Sequence, residues 1–177
     1  MQATKTKLNT HIRWMIRRDM PEVLAIEQQS FEFPWQEDDF IRCLRNRNVI
    51  GMVCEAADRT AGFVVYEILK NKLRVLNFAV HEDWRYKGIG SAMVNKLTSK
   101  LSYERRTQIV LEIRESNLDA QLFFKRMGFR AVGVLHDFYE DTAEDAYRFA
   151  YRLDWNAPVE DEPEKENPWQ DDGEPIA

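Results

Sequence analysis

Apolar and polar residues alternate along seven segments of the chain, which is the pattern of strands that bury one face. These predicted strands cover residues 12–18, 49–57, 62–69, 73–80, 108–114, 129–138 and 147–155. Four other segments repeat apolar residues every three or four positions and are predicted to be helices, at about residues 19–27, 37–46, 89–103 and 117–127. The order β-α-α-β-β-β-α-β-α-β-β indicates a single α/β (α+β) domain with a mixed central sheet flanked by helices.

Local signals mark the ends of several of these elements. Asp19 is expected to cap the first helix, with Glu22 three residues later completing a capping box. Gly128 is expected to end the last helix. Residues 58–60 and 70–72 are expected to form the two turns of a three-stranded meander.

Composition fits one domain in a reducing compartment. The chain has 177 residues, of which 44% are hydrophobic, but no apolar run approaches the ~20 residues that span a membrane. The first residues lack the apolar region of a secretory signal. Cys43 and Cys54 have no metal-ligand spacing, which favours a reduced, cytoplasmic location, and the three scattered histidines give no reason to expect a metal.

Negative charge is concentrated near the C-terminus. The whole chain carries a net charge of −5, yet the 154 residues before residue 155 carry +2. A near-neutral domain gives no sign of direct nucleic-acid binding. The composition predicts an N-terminal extension at 1–12, a domain at 13–155 and an acidic, disordered tail at 156–177. This tail would either solubilise the protein or attract a basic partner.

A glycine-containing turn joins the predicted strand 73–80 to the helix that follows. Gly88 and Gly90 lie at the start of this helix, where backbone N–H groups without helical partners favour an anion. Arg85 and Lys87 add positive charge just before them. A G-x-G pair alone also fits turn geometry or close packing, so pyrophosphate binding and packing are both open alternatives.

Glu112 is an unexpected residue in the strand at 108–114. A strand in the middle of such a sheet should be apolar on both faces. A carboxylate there is either functional or neutralised by pairing with Arg114 or by a solvated face. Asn117 is expected to be the N-cap of the next helix, at the edge of the sheet where ligands collect in open α/β folds.

Four segments together resemble the GNAT superfamily of N-acetyltransferases, which transfer an acetyl group from acetyl-CoA to an amine. They are E-Q-Q-S-F-E-F-P-W at 27–35, L-N-F-A-V-H-E-D-W-R-Y-K-G-I-G at 76–90, L-E-I-R-E-S-N at 111–117 and L-F-F-K-R-M-G-F at 122–129. D-F-Y at 137–139 is a weaker fifth match. The run R-Y-K-G-I-G fits the superfamily's pyrophosphate loop, R/Q-x-x-G-x-G/A. The chain is closer still to the branch of ribosomal-protein-alanine N-acetyltransferases, and the resemblance covers about residues 13–154.

The resemblance implies a role for each matching position. Strand backbone at 78–80 would face the pantetheine arm and thioester, the glycine turn would cradle the pyrophosphate, and Glu112 would act as general base through water. The implied acetyl-CoA-binding residues are Phe78, Ala79, Val80, Arg85, Tyr86, Lys87, Gly88, Ile89, Gly90, Ser91 and Asn117. The residues implied in lining the slot for an acceptor peptide are Phe33, Pro34, Trp35, Phe138 and Tyr139.

One position departs from the pattern of the superfamily. Phe124 replaces a tyrosine that protonates the leaving thiolate, and a phenyl ring has no proton to donate. A positioned acid contributes about 10²–10⁴-fold to a rate. Tyr139 is expected to substitute as the acid, with water as the alternative.

These implications predict an acetyl-CoA-dependent Nα-acetyltransferase. It would act by direct transfer in a ternary complex on a protein or peptide N-terminus, with the N-terminal alanine of a ribosomal protein as the expected acceptor. Two alternatives remain open: a GNAT enzyme acting on a small amine or a lysine side chain, and an acyl-CoA-binding regulatory module with weak catalysis. No membrane partner is expected.

Overall fold

The structure of the protein is a computed structural model that describes residues 9–159. Within them, seven strands and four α-helices follow the predicted order. Their bounds are β1 Thr10–Trp14, α1 Met20–Ser30, α2 Glu37–Leu44, β2 Val49–Ala56, β3 Arg59–Ile68, β4 Lys72–Val80, α3 Ile89–Thr98, β5 Gln108–Arg114, α4 Leu118–Arg126, β6 Arg130–Tyr139 and β7 Glu144–Arg152. Residues 1–8 and 160–177, and with them most of the expected extension and tail, lie outside the described residues.

All seven strands belong to one mixed sheet with the order β1-β2-β3-β4-β5-β7-β6. Neighbouring strands are antiparallel except β4 and β5, which are parallel. Because parallel neighbours need a crossover connection, α3 links the end of β4 to the start of β5.

Each face of the sheet packs against its own pair of helices. The cluster beneath α3 and α4 includes Met93, Leu97, Ile109, Leu111 and Phe124. The cluster beneath α1 and α2 includes Val23, Ile26, Phe40, Val53, Phe63 and Ala79. This second cluster draws its sheet residues from β2, β3 and β4, so on that face the polar side chains of β5 and β7 lie beyond it.

The parallel strands β4 and β5 pair only near their first residues. Their register runs from Lys72 opposite Gln108 to Arg74 opposite Val110, the last pair that the described residues form. On its other side β4 pairs with β3 across a bulge in which Leu76 is the extra residue. Because a bulge bends its strand, β4 turns away from β5, and the two strands enclose a cleft.

The first strand and its helix cap differ from the prediction. The strand is Thr10–Trp14 rather than 12–18, and a 3-10 turn follows at Arg17–Asp19. Asp19 precedes α1, but its carboxylate binds Arg13 at 2.7 and 2.8 Å instead of capping the helix. Glu22 accepts the N–H of Thr60 at 2.9 Å, so the capping box is wrong as well. The carboxylate of Asp19 is occupied by this charged bidentate pair and by the N–H of Ile16 at 2.8 Å, so it makes no bond to the N–H groups of α1.

The turn between β2 and β3 is also shorter than predicted. It consists of Ala57 and Asp58, whose φ angles of 49° and 59° are those of a two-residue hairpin turn, so β3 begins at Arg59. The helix α3 ends at Thr98 rather than near residue 103.

The end signals of α4 are confirmed. Asn117 accepts the N–H of Ala120 at 3.1 Å, as an N-cap does. Gly128 follows the helix with a φ of 90°, the left-handed conformation expected after a helix end.

Candidate active site

The cleft between the separated ends of β4 and β5 has a volume of about 630 Å³. Its walls come from the α1–α2 loop, the bulged part of β4, the end of β5, the start of α4 and the β6–β7 hairpin. The predicted site residues that line it are Phe33, Pro34, Trp35, Phe78, Glu112, Asn117, Phe138 and Tyr139. Fold topology therefore brings these distant segments together, while Ala79, Val80 and residues 85–91 continue from the cleft along β4 into the glycine turn.

The edge of β4 that faces β5 carries backbone groups available to a ligand. Beyond Arg74, β4 has no pairing with β5 within the described chain. Unpaired strand N–H and C=O groups require hydrogen-bond partners, and an extended ligand supplies them by lying alongside the strand. Phe78 points its ring toward α4, where it contacts Phe124 at 5.4 Å and Phe123 at 5.9 Å between ring centroids.

Glycine is favoured at the two positions of the turn by different structural features. Gly88 has a φ of 89° and open space around the position of a Cβ, so its backbone conformation alone favours glycine. Gly90 has ordinary backbone angles, but a Cβ there would lie 2.9 Å from Cζ of Phe123. Close packing therefore accounts for Gly90 and turn geometry for Gly88, and pyrophosphate binding by the start of α3 stays a prediction.

The basic residues of the turn have partners. Arg85 donates from Nε to the carbonyl of Val80 at 3.1 Å and from Nη2 to the hydroxyl of Ser30 at 3.3 Å. Lys87 places Nζ 5.3 Å from the ring centroid of Trp84. Arg85 thus holds the turn against β4 and α1, and Tyr86 between the two basic residues is 92% exposed.

Glu112 lies on β5 at the closed end of the cleft. Its Oε1 accepts hydrogen bonds from Nη2 of Arg74 at 3.2 Å, from Nη2 of Arg148 at 3.0 Å and from Nε of Arg148 at 3.2 Å. The Glu112 side chain is only 8% exposed, and these two guanidinium groups offset the cost of burying its charge. The suggested pairing with Arg114 is wrong.

Arg114 instead holds two walls of the cleft together. It binds Asp141 at 2.7 Å and Glu144 at 3.2 Å, at the β6–β7 hairpin. Its guanidinium carbon lies 3.8 Å from the ring centroid of Tyr139 and 5.3 Å from that of Phe33. These cation–π contacts fix the hairpin opposite the α1–α2 loop.

The two residues that bear on thiolate protonation lie in the same cleft. Phe124 is buried against Phe78, Phe123 and Phe129. Burial raises the pKa of the Tyr139 phenol above its ordinary value, with the charge of nearby Arg114 acting in the opposite direction. A phenol with a raised pKa is a weaker acid, so the substitution of Tyr139 for the missing acid stays a prediction.

Glu27 is a site residue that the sequence reasoning did not assign. It lines the cleft, is 1% exposed, and accepts hydrogen bonds from the N–H of Trp35 at 2.8 Å and the side-chain amide of Asn77 at 3.0 Å. Burial raises the pKa of its carboxyl to about 7. The available signal was its spacing, because Glu27 follows Val23 by four residues and shares the apolar face of the helix.

Residues 9–159, which the structure describes, include both cysteines of the chain. No group of three or more His, Cys, Asp or Glu side chains there is arranged to hold a metal, and no helix there is long and apolar enough to cross a membrane. Cys43 and Cys54 are free and buried, and burial raises the pKa of their thiols to about 12 and about 11. Buried thiols of this kind are poor nucleophiles.

The family model, the relatives and the solved structure that match this chain all indicate one family. Residues 13–129 match the sequence model described as the Acetyltransferase (GNAT) family. A ribosomal protein bS18-alanine N-acetyltransferase of Salmonella typhimurium is 27% identical over 121 residues, 68% of this chain and 81% of that protein. An N-alpha-acetyltransferase of Sulfolobus acidocaldarius is 25% identical over 165 residues, 86% of this chain and 98% of that protein. The crystal structure of the ribosomal-protein-S18-alanine N-acetyltransferase from Escherichia coli has a TM-score of 0.73 at 24% identity, over 85% of this chain and all of that one.

Proposed function

Because the chain belongs to the acetyltransferase (GNAT) family and is an N-acetyltransferase, we propose that it transfers an acetyl group from acetyl-CoA to the α-amine of a protein or peptide N-terminus. The observation that carries the proposal is the meeting of Glu112, the aromatic α1–α2 loop and the free edge of β4 in one cleft. The finer proposal is an acceptor with N-terminal alanine on a ribosomal protein, which the names of the relatives support. A cytoplasmic location is proposed with it.

Acetyl-CoA would lie along the free edge of β4. Its pantetheine amides would pair with backbone groups at 78–80, and its pyrophosphate would meet the N–H groups at the start of α3, with Asn117 as a further contact. The fit rests on an unpaired strand edge that leads into a helix start opened by a left-handed glycine, Gly88. In this arrangement the thioester would lie near Phe78, inside the cleft.

The acceptor peptide would enter from the other side of the cleft, between the α1–α2 loop and the β6–β7 hairpin. Phe33, Trp35 and Tyr139 offer apolar walls there. Arg114 sets the separation of these walls through its contacts with Phe33 and Tyr139. The slot suits an extended chain end more closely than a small free amine, because a small amine would leave most of the apolar wall surface without contact.

The proposed chemistry follows from the charge of the amine. The ammonium loses its proton through water to Glu112, and the neutral amine attacks the thioester carbonyl. A C–N bond forms and the C–S bond breaks. The second proton, which the amine nitrogen loses on becoming an amide, passes through water to the departing thiolate. Glu112 suits this role because Arg74 and Arg148 both bind Oε1 and keep the carboxylate fixed in place.

An α-amine is the easier acceptor for a single carboxylate base. Its pKa of about 7.7–8.0 lies about 2.5 units below the 10.4 of a lysine, which is worth about 3.4 kcal/mol of deprotonation free energy near neutral pH. The walls of the cleft offer one such carboxylate on β5, Glu112. This difference supports an N-terminal acceptor over a lysine side chain.

Mass spectrometry of two peptides incubated with the full-length protein and acetyl-CoA tests the proposal. One peptide has a free N-terminal alanine and no lysine, and the other has a blocked N-terminus and one lysine. Acetylation of the first alone is the expected result. Acetylation of the lysine peptide alone would overturn the proposal in favour of a side-chain acetyltransferase.

A further inference from the structure

Glu27 is a carboxyl group buried among apolar side chains. It follows Ile26 on α1, and both are 1% exposed. A buried carboxyl is costly unless hydrogen-bonded, and each oxygen of Glu27 has a donor. Oε1 accepts the backbone N–H of Trp35 at 2.8 Å, and Oε2 accepts the side-chain amide of Asn77 at 3.0 Å. The carboxyl of Glu27, the N–H of Trp35 and the side-chain amide of Asn77 together form the Glu27 bridge.

The two donors of the Glu27 bridge come from the two sides of the proposed reaction. Trp35 belongs to the loop that lines the acceptor slot, and its ring packs edge-on against Phe40 at 5.1 Å. Asn77 follows the bulge residue Leu76 and precedes Phe78 on the strand proposed to hold acetyl-CoA. The bridge therefore joins the acceptor loop to β4 at the point where β4 bends away from β5.

We propose that Glu27 is a positioning residue that fixes the acceptor slot against the acetyl-CoA edge of β4, an inference that rests on the proposed function. Glu27 lines the cleft, but it is only 1% exposed and both of its oxygens already accept a hydrogen bond, so we assign it no direct contact with either substrate. It acts through Trp35 and Asn77, whose relative position sets the distance between the incoming amine and the thioester. An error of about 1 Å in such a distance is enough to slow a reaction by roughly 10²-fold.

The Glu27 bridge is also sensitive to pH near neutrality. Burial raises the pKa of Glu27 to about 7, the two hydrogen bonds act against that shift, and the charge of Asp39 on α2 adds to it. Asp39 is itself bonded to Arg42 at 3.2 Å. From β4 the neighbour is the uncharged Asn77. The other carboxylates that line the cleft are Glu112, paired with Arg74 and Arg148, Asp141, paired with Arg114, and Glu140 beside it at the β6–β7 hairpin.

Protonation changes what the Glu27 bridge can bind. The carboxylate accepts both donors at once. In the acid form one oxygen carries a hydrogen, and this O–H meets the N–H donor of Asn77 with a second donor instead of an acceptor. The bridge therefore weakens as pH falls through about 7. Glu27→Gln reproduces the acid form, because Gln has one acceptor and one donor in the same shape and does not titrate.

The test compares full-length wild type, Glu27→Gln and the matched control Glu22→Gln at about pH 6 and about pH 8. Glu22 lies on the same helix and also accepts a backbone N–H, from Thr60, outside the cleft. Two quantities are measured: the time per turnover, 1/kcat, with the peptide that has N-terminal alanine, and the amide hydrogen-exchange rate of Trp35. Each is expressed as the ratio of variant to wild type, so titration of the substrate amine and the intrinsic pH dependence of exchange cancel.

At about pH 8 the Glu27→Gln ratios for 1/kcat and for Trp35 exchange are expected to reach about 10, the value of one charged hydrogen bond. At about pH 6 both should approach 1, because the wild type is then protonated as well. Glu22→Gln should give ratios near 1 at both pH values. Ratios for Glu27→Gln that stay near 1 at pH 8, or that Glu22→Gln reproduces, would overturn the proposal.

The wild type alone provides a second test in case Glu27→Gln does not fold. The N–H of Phe31 bonds to the backbone carbonyl of Glu27 at 3.1 Å and serves as an internal reference. The exchange rate of Trp35 relative to Phe31 should rise about 10-fold from pH 8 to pH 6, and a Trp35 amide that exchanges at pH 8 as fast as an unprotected amide would overturn the bridge. If the wild type acetylates no peptide, the proposed function fails while this exchange ratio still decides on the bridge.

Discussion

The carboxylate of Glu112 accepts a hydrogen bond from Nη2 of Arg148 at 3.0 Å, directly across the antiparallel pair of β5 and β7. Arg74 reaches the same oxygen from β4, and it occupies the last position at which β4 pairs with β5. Glu112 therefore joins three strands where the cleft begins. This position gives the proposed base a fixed geometry, because the strands that open the cleft also hold the carboxylate.

Glu112→Gln should lower kcat by about 10²–10³-fold, since the amide cannot accept the amine's proton. The KM for acetyl-CoA should change little. Loss of the counter-charge for Arg74 and Arg148 should also lower the free energy of unfolding by roughly 1–3 kcal/mol. Steady-state kinetics and urea unfolding measure these effects. Glu115→Gln, at an exposed glutamate just after β5, is the control, and a kcat for Glu112→Gln equal to that of Glu115→Gln would exclude Glu112 as the base.

Tyr139→Phe decides between the two donors to the thiolate that the sequence left open, Tyr139 and water. Because burial makes the phenol of Tyr139 a weaker acid, we expect water to be the donor and kcat to stay within about threefold of the wild type. Burial raises the pKa of Tyr139 above its ordinary 10, whereas a thiol has a pKa of about 8.5, so proton transfer from the phenol to the thiolate is uphill by about 2 kcal/mol or more. The phenylalanine ring would keep the contact with Arg114. Tyr103→Phe, at an exposed position, is the control. A fall in kcat of about 100-fold for Tyr139→Phe alone would instead identify Tyr139 as the acid that Phe124 cannot be.

Gly88→Ala should weaken acetyl-CoA binding and destabilise the fold. The φ of 89° costs a residue with a Cβ about 1–2 kcal/mol, and relaxation of that strain would move the start of α3. Gly133→Ala is the matched control, because Gly133 also has open space around its Cβ position but no positive φ. The KM for acetyl-CoA and the unfolding midpoint measure the two effects. An equal KM for acetyl-CoA in both variants would contradict a pyrophosphate site at this turn.

Glu27 should make a pH-dependent contribution to stability. Its folded pKa of about 7 lies above the ordinary 4.5, so its contribution is fully present below pH 4.5 and is lost as pH rises through 7. The shift corresponds to about 3 kcal/mol. The free energy of unfolding of the wild type relative to Glu27→Gln should therefore fall by about 2–3 kcal/mol from pH 5 to pH 8 in urea titrations. Carboxylates with lowered pKa, such as Asp19 and Asp141, act in the opposite direction but are common to both proteins. A difference in free energy of unfolding between the two proteins that does not change with pH would contradict the raised pKa.

The sequence predicted the elements well where local pattern decides their structure. The strand Gln108–Arg114 was predicted to the residue because every second side chain is apolar, and Asn117 and Gly128 were predicted because caps depend on adjacent backbone groups. Asp19 does lie at the N-cap position of α1, but its carboxylate does not cap the helix, because the fold brings Arg13 to it.

The cleft itself could not be predicted from local pattern. Its opening depends on the bulge at Leu76, which arises from the register between β3 and β4 and leaves no mark in the alternation of β4. The partners of Glu112 come from β4 and β7, and those of Glu27 from a loop and β4. Such contacts depend on strand order, which one sequence does not give.

Competition between two amines of one peptide separates an Nα-acetyltransferase from a lysine acetyltransferase. A peptide with a free N-terminal alanine and one internal lysine is incubated with the full-length protein and one equivalent of acetyl-CoA, and tandem mass spectrometry locates the acetyl group. We expect acetyl on the α-amine, in excess over the lysine by about 10²-fold, as the difference of about 3.4 kcal/mol between the two amines allows. Acetyl predominantly on the lysine would rule out an Nα-acetyltransferase.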